Sequence, residues 1–144
     1  MKKIIPLLLV LLSFLITAEG HALSVSALSE MLQTEFGKRN AFIMIERRKL
    51  SNIIKEQSLE LAGIIENEAS KIGQLAGADK IITGSLMEID NKFVVLIKLI
   101  DVSSGQVDIT EGIKVDNENK LEKGLSSIVT KIVKQGQNKW GQTF

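Results

Sequence analysis

The stretch from Lys80 to Val115 constrains the fold more than any other part of the sequence. It contains three runs rich in Ile, Leu and Val, separated by a polar pair, Asp90-Asn91, and by a short polar link that ends in Gly105. Links of this kind are typical of tight turns between antiparallel strands, and glycine suits a left-handed turn position. The sequence therefore predicts a three-stranded meander over residues 80–89, 92–102 and 106–115.

Hydrophobic patterning separates the second and third of these strands. The second is apolar nearly throughout, which predicts a central strand covered on both faces. In the third strand apolar and polar residues alternate, so that Val107, Ile109, Ile113 and Val115 point to the same face. This pattern predicts that the other face is in contact with water. Glu111 falls in register with the apolar set. A rim or bulge position explains this carboxylate better than a functional role in the core.

Helical periodicity and one further short apolar run account for most of the remaining chain. Apolar residues at helical spacing predict helices over 26–37, 46–61, 67–76 and 118–134. The run over 41–45 is short and rich in Ile, which predicts a strand buried on both faces. The predicted fold class is α/β, of the α+β sandwich type. Helices pack on a small mixed sheet that ends in the meander.

The first 22 residues have the features of a signal peptide. Lys2 and Lys3 precede an apolar run of 13 residues that ends at Ile16, too short for a spanning helix, which needs about 20. Small residues favour cleavage after Ala22, with cleavage after Gly20 as the near alternative and an uncleaved anchor as a further one. The predicted organisation is a signal peptide over 1–22, a domain over 23–134 and a polar tail over 135–144.

The composition of the mature chain excludes several classes of function. The whole chain has 18 Lys and Arg against 17 Asp and Glu, so loss of two lysines and Glu19 with the leader leaves 16 of each. This balance gives no electrostatic reason to expect nucleic acid as a partner. No membrane span is expected after cleavage, and export predicts a periplasmic location.

Catalysis and cofactor binding are not expected. The chain has no Cys and no Tyr, and its one His lies in the leader, so the usual nucleophiles, general bases and metal ligands are missing. No Gly-x-Ser-x-Gly motif supports the alternative of a serine hydrolase. The sequence predicts a protein that is not an enzyme, with no catalytic residues, no cofactor and no metal.

Three stretches resemble the CsgG family, which includes the curli secretion component. The first begins with Glu46 and Arg47 in the strand-to-helix transition. The second contains Gly-Ala-Asp followed by a strand with Gly-Ser, and the third is Leu-Ile-Asp-Val-Ser-Ser-Gly. The resemblance covers residues 26–134 and implies a CsgG-like periplasmic domain. The residues that carry it are Glu46, Arg47, Leu50, Glu56, Gln57, Gly73, Gly77, Asp79, Gly84, Asp101 and Gly105.

We expect structural roles for these signature residues more than binding roles, although an interface role stays open. Gly73 would let its helix approach the sheet closely, and Gly77 would end that helix. Gly84 would permit close packing or a bulge in a strand. Asp79 would bond to local backbone before the strand, and Gly105 would serve the turn.

Departures from the family pattern shape the functional expectation. The long insertions that form membrane hairpins and the anchor Cys are missing, which implies a periplasmic relative that is not a pore. The strand that usually precedes the first helix is also missing from the mature chain, so an exposed sheet edge could accept a partner's strand. The resemblance implies an accessory or assembly protein with protein partners in the cell envelope. The alternative is a ring-forming homo-oligomeric subunit of an outer-membrane-associated complex.

Overall fold

In the computed structural model of the protein, residues 5–15, 25–40, 42–45, 47–57 and 66–140 are described. The strands are β1 (Ile5–Leu15), β2 (Phe42–Ile45), β3 (Lys80–Ile89), β4 (Lys92–Asp101) and β5 (Val107–Val115). The helices are α1 (Val25–Lys38), α2 (Arg47–Glu56), α3 (Glu66–Ala76) and α4 (Leu121–Trp140). A 3₁₀ turn, Glu118–Lys120, leads into α4.

The five strands form one mixed sheet in the order β2-β1-β3-β4-β5. β1 runs parallel to both of its neighbours, whereas β3, β4 and β5 are antiparallel. Helices α1 and α4 cover one face of the sheet, and α2 and α3 cover part of the other. This arrangement confirms the predicted α+β sandwich with a C-terminal meander.

β1 lies inside the segment that the sequence predicts to be a leader. The family resemblance led us to expect no strand before the first helix, yet Ile5–Leu15 occupies that position in the full chain. The expectation of a missing strand therefore applies only to a chain that has lost its first 22 residues. Removal of those residues stays a prediction.

Both predicted turns of the meander are confirmed. Asp90 and Asn91 have φ values of 52° and 61°, the left-handed pair that a type I′ hairpin requires. Gly105 has a φ of 72°, and its N–H donates to the Asp101 carbonyl oxygen at 2.8 Å. The turn residues thus determine where each strand of the meander ends.

The apolar side chains form two cores, one on each face of the sheet. The larger core joins Phe36 of α1 and Ile128 of α4 to Ile82, Val95 and Ile97 of the meander. The smaller core joins Leu50 of α2 and Ile72 of α3 to Ile81, Ile100 and Val102. Burial of such side chains is the main favourable term in folding, at about 25 cal/mol per Å² of apolar area.

Two strands are less buried than the sequence predicts. In β2, Phe42 is 7% exposed, but Ile43 is 53% exposed because β2 is an edge strand. In β4, Val95 and Ile97 are buried under α1 and α4, whereas Val94 and Leu96 on the opposite face are only half-buried. The prediction of burial on both faces was wrong for β2 and for this part of β4.

A bulge changes the predicted alternation of β5, so Val107 does not share a face with Ile109 as the sequence predicts. A bulge at Asp108, where Leu99 pairs with Ile109 and Ile100 pairs with Val107, leaves Val107 exposed. Glu111 has the predicted rim position, half-buried and accepting a hydrogen bond from Gln135.

The helix α4 does not end at Lys134, because residues 135–140 continue it and Trp140 folds back onto buried Gly136. The helix α2 ends at Glu56. The predicted end of that helix, at Leu61 and Gly63, lies outside the described residues.

Candidate interaction surfaces and the family comparison

One part of the sheet carries apolar side chains that the helices cover incompletely. Ile81 of β3 and Ile100 of β4 lie at one end of these strands and belong to the core beneath α2 and α3. Toward the other end of the same face, Met87, Val94 and Leu96 are half-buried and Ile89 is 46% exposed. We call this surface, formed by residues 83, 85, 87, 89, 94, 96, 98, 110, 112 and 114, the open face.

The register defines the chemistry of the open face. Met87 pairs with Val94, which pairs with Lys114, and in the next row Leu96 pairs with Gly112. Gly112 adds no side chain, so Leu96 is open on that side. An apolar strip thus lies beside the lysines of β4 and β5, an arrangement that matches a partner with an apolar centre and acidic residues at its rim.

A second surface is the groove where α1 meets the start of α4. The cavity has a volume of about 690 Å³. Its described lining consists of Glu35, Lys38, Arg39, Asn119, Glu122, Lys123 and Ser126. Charged groups of both signs line this groove, so its polarity does not select a ligand of one charge.

Arg39 joins the two helices that form this groove. Its guanidinium bonds to the Glu35 carboxylate at 3.0 Å, to the Ser126 carbonyl oxygen at 2.9 Å and to the Thr130 hydroxyl oxygen at 2.7 Å. Glu35 is only 6% exposed. The hydrogen bond from Arg39 lowers the pKa of Glu35 despite the opposing effect of burial. These contacts give Arg39 a structural role at the helix junction.

The strongest cluster of charges lies where β3 begins. The Lys80 ammonium contacts Asp101 Oδ1 at 2.9 Å and Asp108 Oδ2 at 2.8 Å, and it lies 4.4 Å from the centroid of the Trp140 ring. The Lys139 ammonium donates to the Asp108 carbonyl oxygen at 2.6 Å. The cluster therefore ties the end of α4 to the meander.

The pKa shifts in this cluster favour the charged forms of Lys80 and Asp101. Burial alone would lower the pKa of Lys80, but hydrogen bonds from its ammonium to Asp101 and Asp108 raise it above its usual value. The same Lys80 contact, aided by Ser103, holds the pKa of Asp101 well below its usual range. Both shifts favour the charged forms, so near neutral pH the lysine is not a neutral amine nucleophile and the carboxylate is a weak base.

Several signature residues meet around Val102. A Cβ on Gly73 would lie 2.5 Å from Val102 Cγ2, which confirms the close approach of α3 to the sheet. The Val102 N–H donates to the Asp79 carbonyl oxygen at 3.0 Å, and Gly77, with a φ of 73°, ends α3 as expected. Asp79 itself is exposed, and its described contact is made by its backbone.

Asp101, Gly105 and Gly84 also occupy structural positions. Asp101 bonds to Lys80 and accepts from the Ser103 hydroxyl at 2.6 Å, while Gly105 closes the same turn. Gly84 is buried in β3 and pairs with Leu12, just beyond an irregularity in the β1–β3 register. The extra residue of this irregularity belongs to β1, between Leu9 and Leu12, so the expected role of Gly84 in close packing or in a bulge of its own strand stays a prediction.

The signature residues of the α2 region are separate from this cluster. Leu50 is buried in the smaller core, Glu56 is exposed and half-buried Gln57 donates its N–H to the Ile53 carbonyl oxygen at 3.0 Å. Arg47 is the first residue of α2, and Glu46 lies outside the described residues. An interface role for the signature set stays a prediction.

Sequence reasoning missed Lys80, Asp108 and Trp140. Strand alternation was the available signal. Lys80 lies two residues before buried Ile82, so both side chains point to the face of the sheet that holds the larger core. Asp108 could not be found in this way, because the bulge that turns it toward Lys80 is not visible in the pattern. Trp140 was assigned to a tail and its partner lies far away in sequence.

Two further properties concern the part of the chain that the structure describes. In that part, no helix combines the length and the apolar character needed to cross a membrane. The same residues contain no group of three or more His, Cys, Asp or Glu side chains that could hold a metal ion.

Solved structures with the same fold come from several bacteria. The LpoB C-terminal domain from Salmonella enterica matches with a TM-score of 0.66 and 17% identity, over 81% of this chain and 86% of that chain. Lipoprotein GNA1162 from Neisseria meningitidis matches with a TM-score of 0.60 and 14% identity, over 88% and 95%. The PelC dodecamer from Paraburkholderia phytofirmans matches with a TM-score of 0.54 and 12% identity, over 94% and 90%. At these identities the similarity establishes the fold.

Sequence comparison identifies the family. No curated protein sequence matches the chain significantly. The family model described as "Curli production assembly/transport component CsgG" matches residues 17–95. This match includes more than half of the chain and contains two of the three stretches on which the resemblance was based. The chain belongs to the CsgG family.

Proposed function

We propose that the protein is a non-catalytic accessory or assembly protein of the bacterial cell envelope that acts through protein–protein contacts. The observation that carries the proposal is the open face, an incompletely covered apolar strip on a domain of the CsgG family. The partner is an envelope polypeptide with an apolar centre and acidic residues that face Lys114. A periplasmic location next to the outer membrane is part of the proposal.

The absence of catalysis is supported by the chemistry of the described side chains. Two ionisable groups with shifted pKa values, Lys80 and Asp101, are bonded to each other in an ion cluster. Their pKa shifts favour the charged forms that they already have at neutral pH. Such shifts contribute to stability and do not prepare a group for acid–base chemistry.

Site-specific crosslinking in intact cells tests the contact proposal. A photoreactive residue is placed at Ile89 on the open face, and a matched control is placed at Leu75 on α3, which is 51% exposed. We expect a defined partner band from position 89 that is absent from position 75. Leu96→Glu places a negative charge in the apolar strip, where it would repel the acidic rim of the partner, so this variant should lose that band. Circular dichroism should show that the variant remains folded. Equal labelling from both positions would contradict the proposal.

A ring-forming subunit is the second candidate. It is supported by the similarity to PelC, whose solved form is a dodecamer. Closed rings arise when one surface of each copy binds a different surface of the next. Light scattering of the purified protein separates the candidates, because a monomer at tens of micromolar would exclude the ring.

A further inference from the structure

The position of β1 carries an inference about what the exported protein binds. Two residues of β1 are paired on both sides: Leu7 with Met44 and Lys80, and Leu8 with Ile45 and Ile81. β1 is the described sheet neighbour of β2 and separates it from β3. β1 is therefore an internal strand, and β2 joins the sheet through it.

Leader cleavage would remove this strand completely. Both predicted cleavage points, after Gly20 and after Ala22, lie beyond Leu15, where β1 ends. Neighbouring strands are about 4.8 Å apart, so the loss of β1 would leave β2 and β3 about 10 Å apart with unpaired backbone groups facing each other. We call this space between β2 and β3 the strand slot.

Side-chain packing holds the far side of the slot in place. Phe42 of β2 is buried in the larger core, and its ring meets that of Phe36 edge to face with centroids 6.1 Å apart. Ile45 of β2 packs against the smaller core on the other face of the sheet. Direct pairing of β2 with β3 would move Phe42 and Ile45 away from these two cores, so closure of the slot would break these contacts.

The present occupant indicates what the slot accepts. Ile5–Leu15 is an 11-residue segment without a charged side chain, and it runs parallel to both β2 and β3. Helix α1 contacts β1, as do α2 and α3, and internal parallel strands covered by helices are characteristically apolar. The irregularity opposite Gly84 accommodates an extra residue of the inserted strand.

A second copy of the mature chain does not offer such a segment. Outside the strands, no stretch after Ala22 exceeds seven residues without a charged side chain. We propose that in the exported protein the strand slot receives an extended, uncharged apolar segment of a different envelope polypeptide, which replaces Ile5–Leu15 by parallel strand addition. This inference rests on the proposed function, because it assumes export and a protein partner.

The first experiment measures what the exported protein contains. The full-length gene is expressed with export, and the intact mass of the periplasmic protein is determined. We expect a chain that begins at residue 21 or 23. Retention of residues 5–15 would overturn the inference, because the slot would then be filled by the chain itself.

The second experiment asks whether the slot accepts a strand. The processed protein is mixed with a synthetic peptide that carries residues 5–15 between flanking lysines. We expect saturable binding at one peptide per chain, with slower amide exchange in β2 and β3. The same peptide with Leu8→Pro, which lacks an N–H at a doubly paired position, should bind at least about tenfold more weakly. Full protection of β2 and β3 without peptide would overturn the inference.

The third experiment looks for the natural occupant. A photoreactive residue at Ile43, beside the slot, should crosslink to a second polypeptide in intact cells. A variant that keeps an additional copy of residues 5–15 after the cleavage site should lose this crosslink, and the same variant with Leu8→Pro in that copy should regain it. Crosslinks to the chain itself would overturn the inference. A partner captured at Ile89 but not at Ile43 would contradict the slot alone, whereas no partner at either position would contradict the proposed function as well.

Discussion

The two halves of the sheet are specified in different ways. β3, β4 and β5 follow one another along the chain and are joined by tight turns, so each strand pairs with a sequence neighbour. β1 and β2 pair with strands that lie beyond intervening helices, and all of their pairing is parallel. The meander therefore depends on local signals, whereas the N-terminal half depends on contacts that form only in the folded chain.

Replacement of one residue by proline in each half compares their contributions to stability and has the largest expected effect. Leu8 in β1 and Leu96 in β4 both have sheet neighbours on two sides. Proline removes a ladder N–H and is poorly tolerated where a strand is paired on both sides, so each substitution should lower the free energy of unfolding of the full-length protein by about 3 kcal/mol or more. Urea denaturation measures both values.

The ratio of the two losses is the informative quantity. Similar losses are expected if β1 is as integral to the full-length fold as β4. Leu8→Val, which keeps the N–H and the β propensity, is the matched control and should have a small effect. A loss below about 1 kcal/mol for Leu8→Pro would show that β1 contributes little to the sheet.

The same comparison explains how much of the fold the sequence could predict. The three strands of the meander were predicted almost to the residue, because Asp90, Asn91 and Gly105 mark its turns. β1 was assigned to a leader because an uncharged apolar run is typical both of a signal peptide and of an internal parallel strand. Hydrophobic periodicity does not separate these two cases, and only the pairing with Phe42 and Ile81 places the segment in the sheet.

The ion cluster stabilises one end of the meander and provides the next largest effect. Lys80→Met keeps the aliphatic stem near Trp140 but leaves Asp101 and Asp108, each about one-fifth exposed, without their shared cation. Because two hydrogen bonds between charged groups are lost and two carboxylates then repel each other, unfolding should require about 2–3 kcal/mol less. Lys92→Met is the matched control, since its exposed pair with Asp116 at 3.6 Å is screened by solvent and should contribute little to stability.

The pH dependence of this difference provides a separate test. The pKa of Asp101 is lowered from an ordinary value of 3.8, so its contribution is complete above that pH and is lost as the pH falls toward the folded value. The pKa of Lys80 is raised from 10.5, so its contribution persists below that pH and is lost only in stronger alkali. The stability difference between wild type and Lys80→Met should be flat from about pH 5 to pH 10 and smaller below about pH 4. A constant difference down to pH 3 would contradict the assignment.

The candidate surfaces also show the difference between local signals, which the sequence displays, and contacts that form only in the folded chain. Gly77 and Gly105 could be predicted because each satisfies a local requirement, at the end of a helix and in a turn. The open face could not, because Val94 and Leu96 have the residue types of a covered strand, and their partial exposure depends on how far α2 and α3 extend across the sheet. Arg39 was equally hidden, since its partners Ser126 and Thr130 belong to the last helix.

A glycine-to-alanine pair tests the contact that joins α3 to the meander and has the smallest expected effect. An alanine Cβ at Gly73 would lie 2.5 Å from Val102 Cγ2, whereas one at Gly37 in α1 meets no atom within 4 Å. Gly73→Ala should cost about 1 kcal/mol net, because overpacking exceeds the gain in helix propensity, and Gly37→Ala should gain about 0.5 kcal/mol. In a Val102→Ala background the cost of Gly73→Ala should disappear, since the space taken by the valine methyl groups becomes free. If thermal or urea unfolding gives the same cost in both backgrounds, the close approach of α3 to Val102 is not the reason that glycine is needed at position 73.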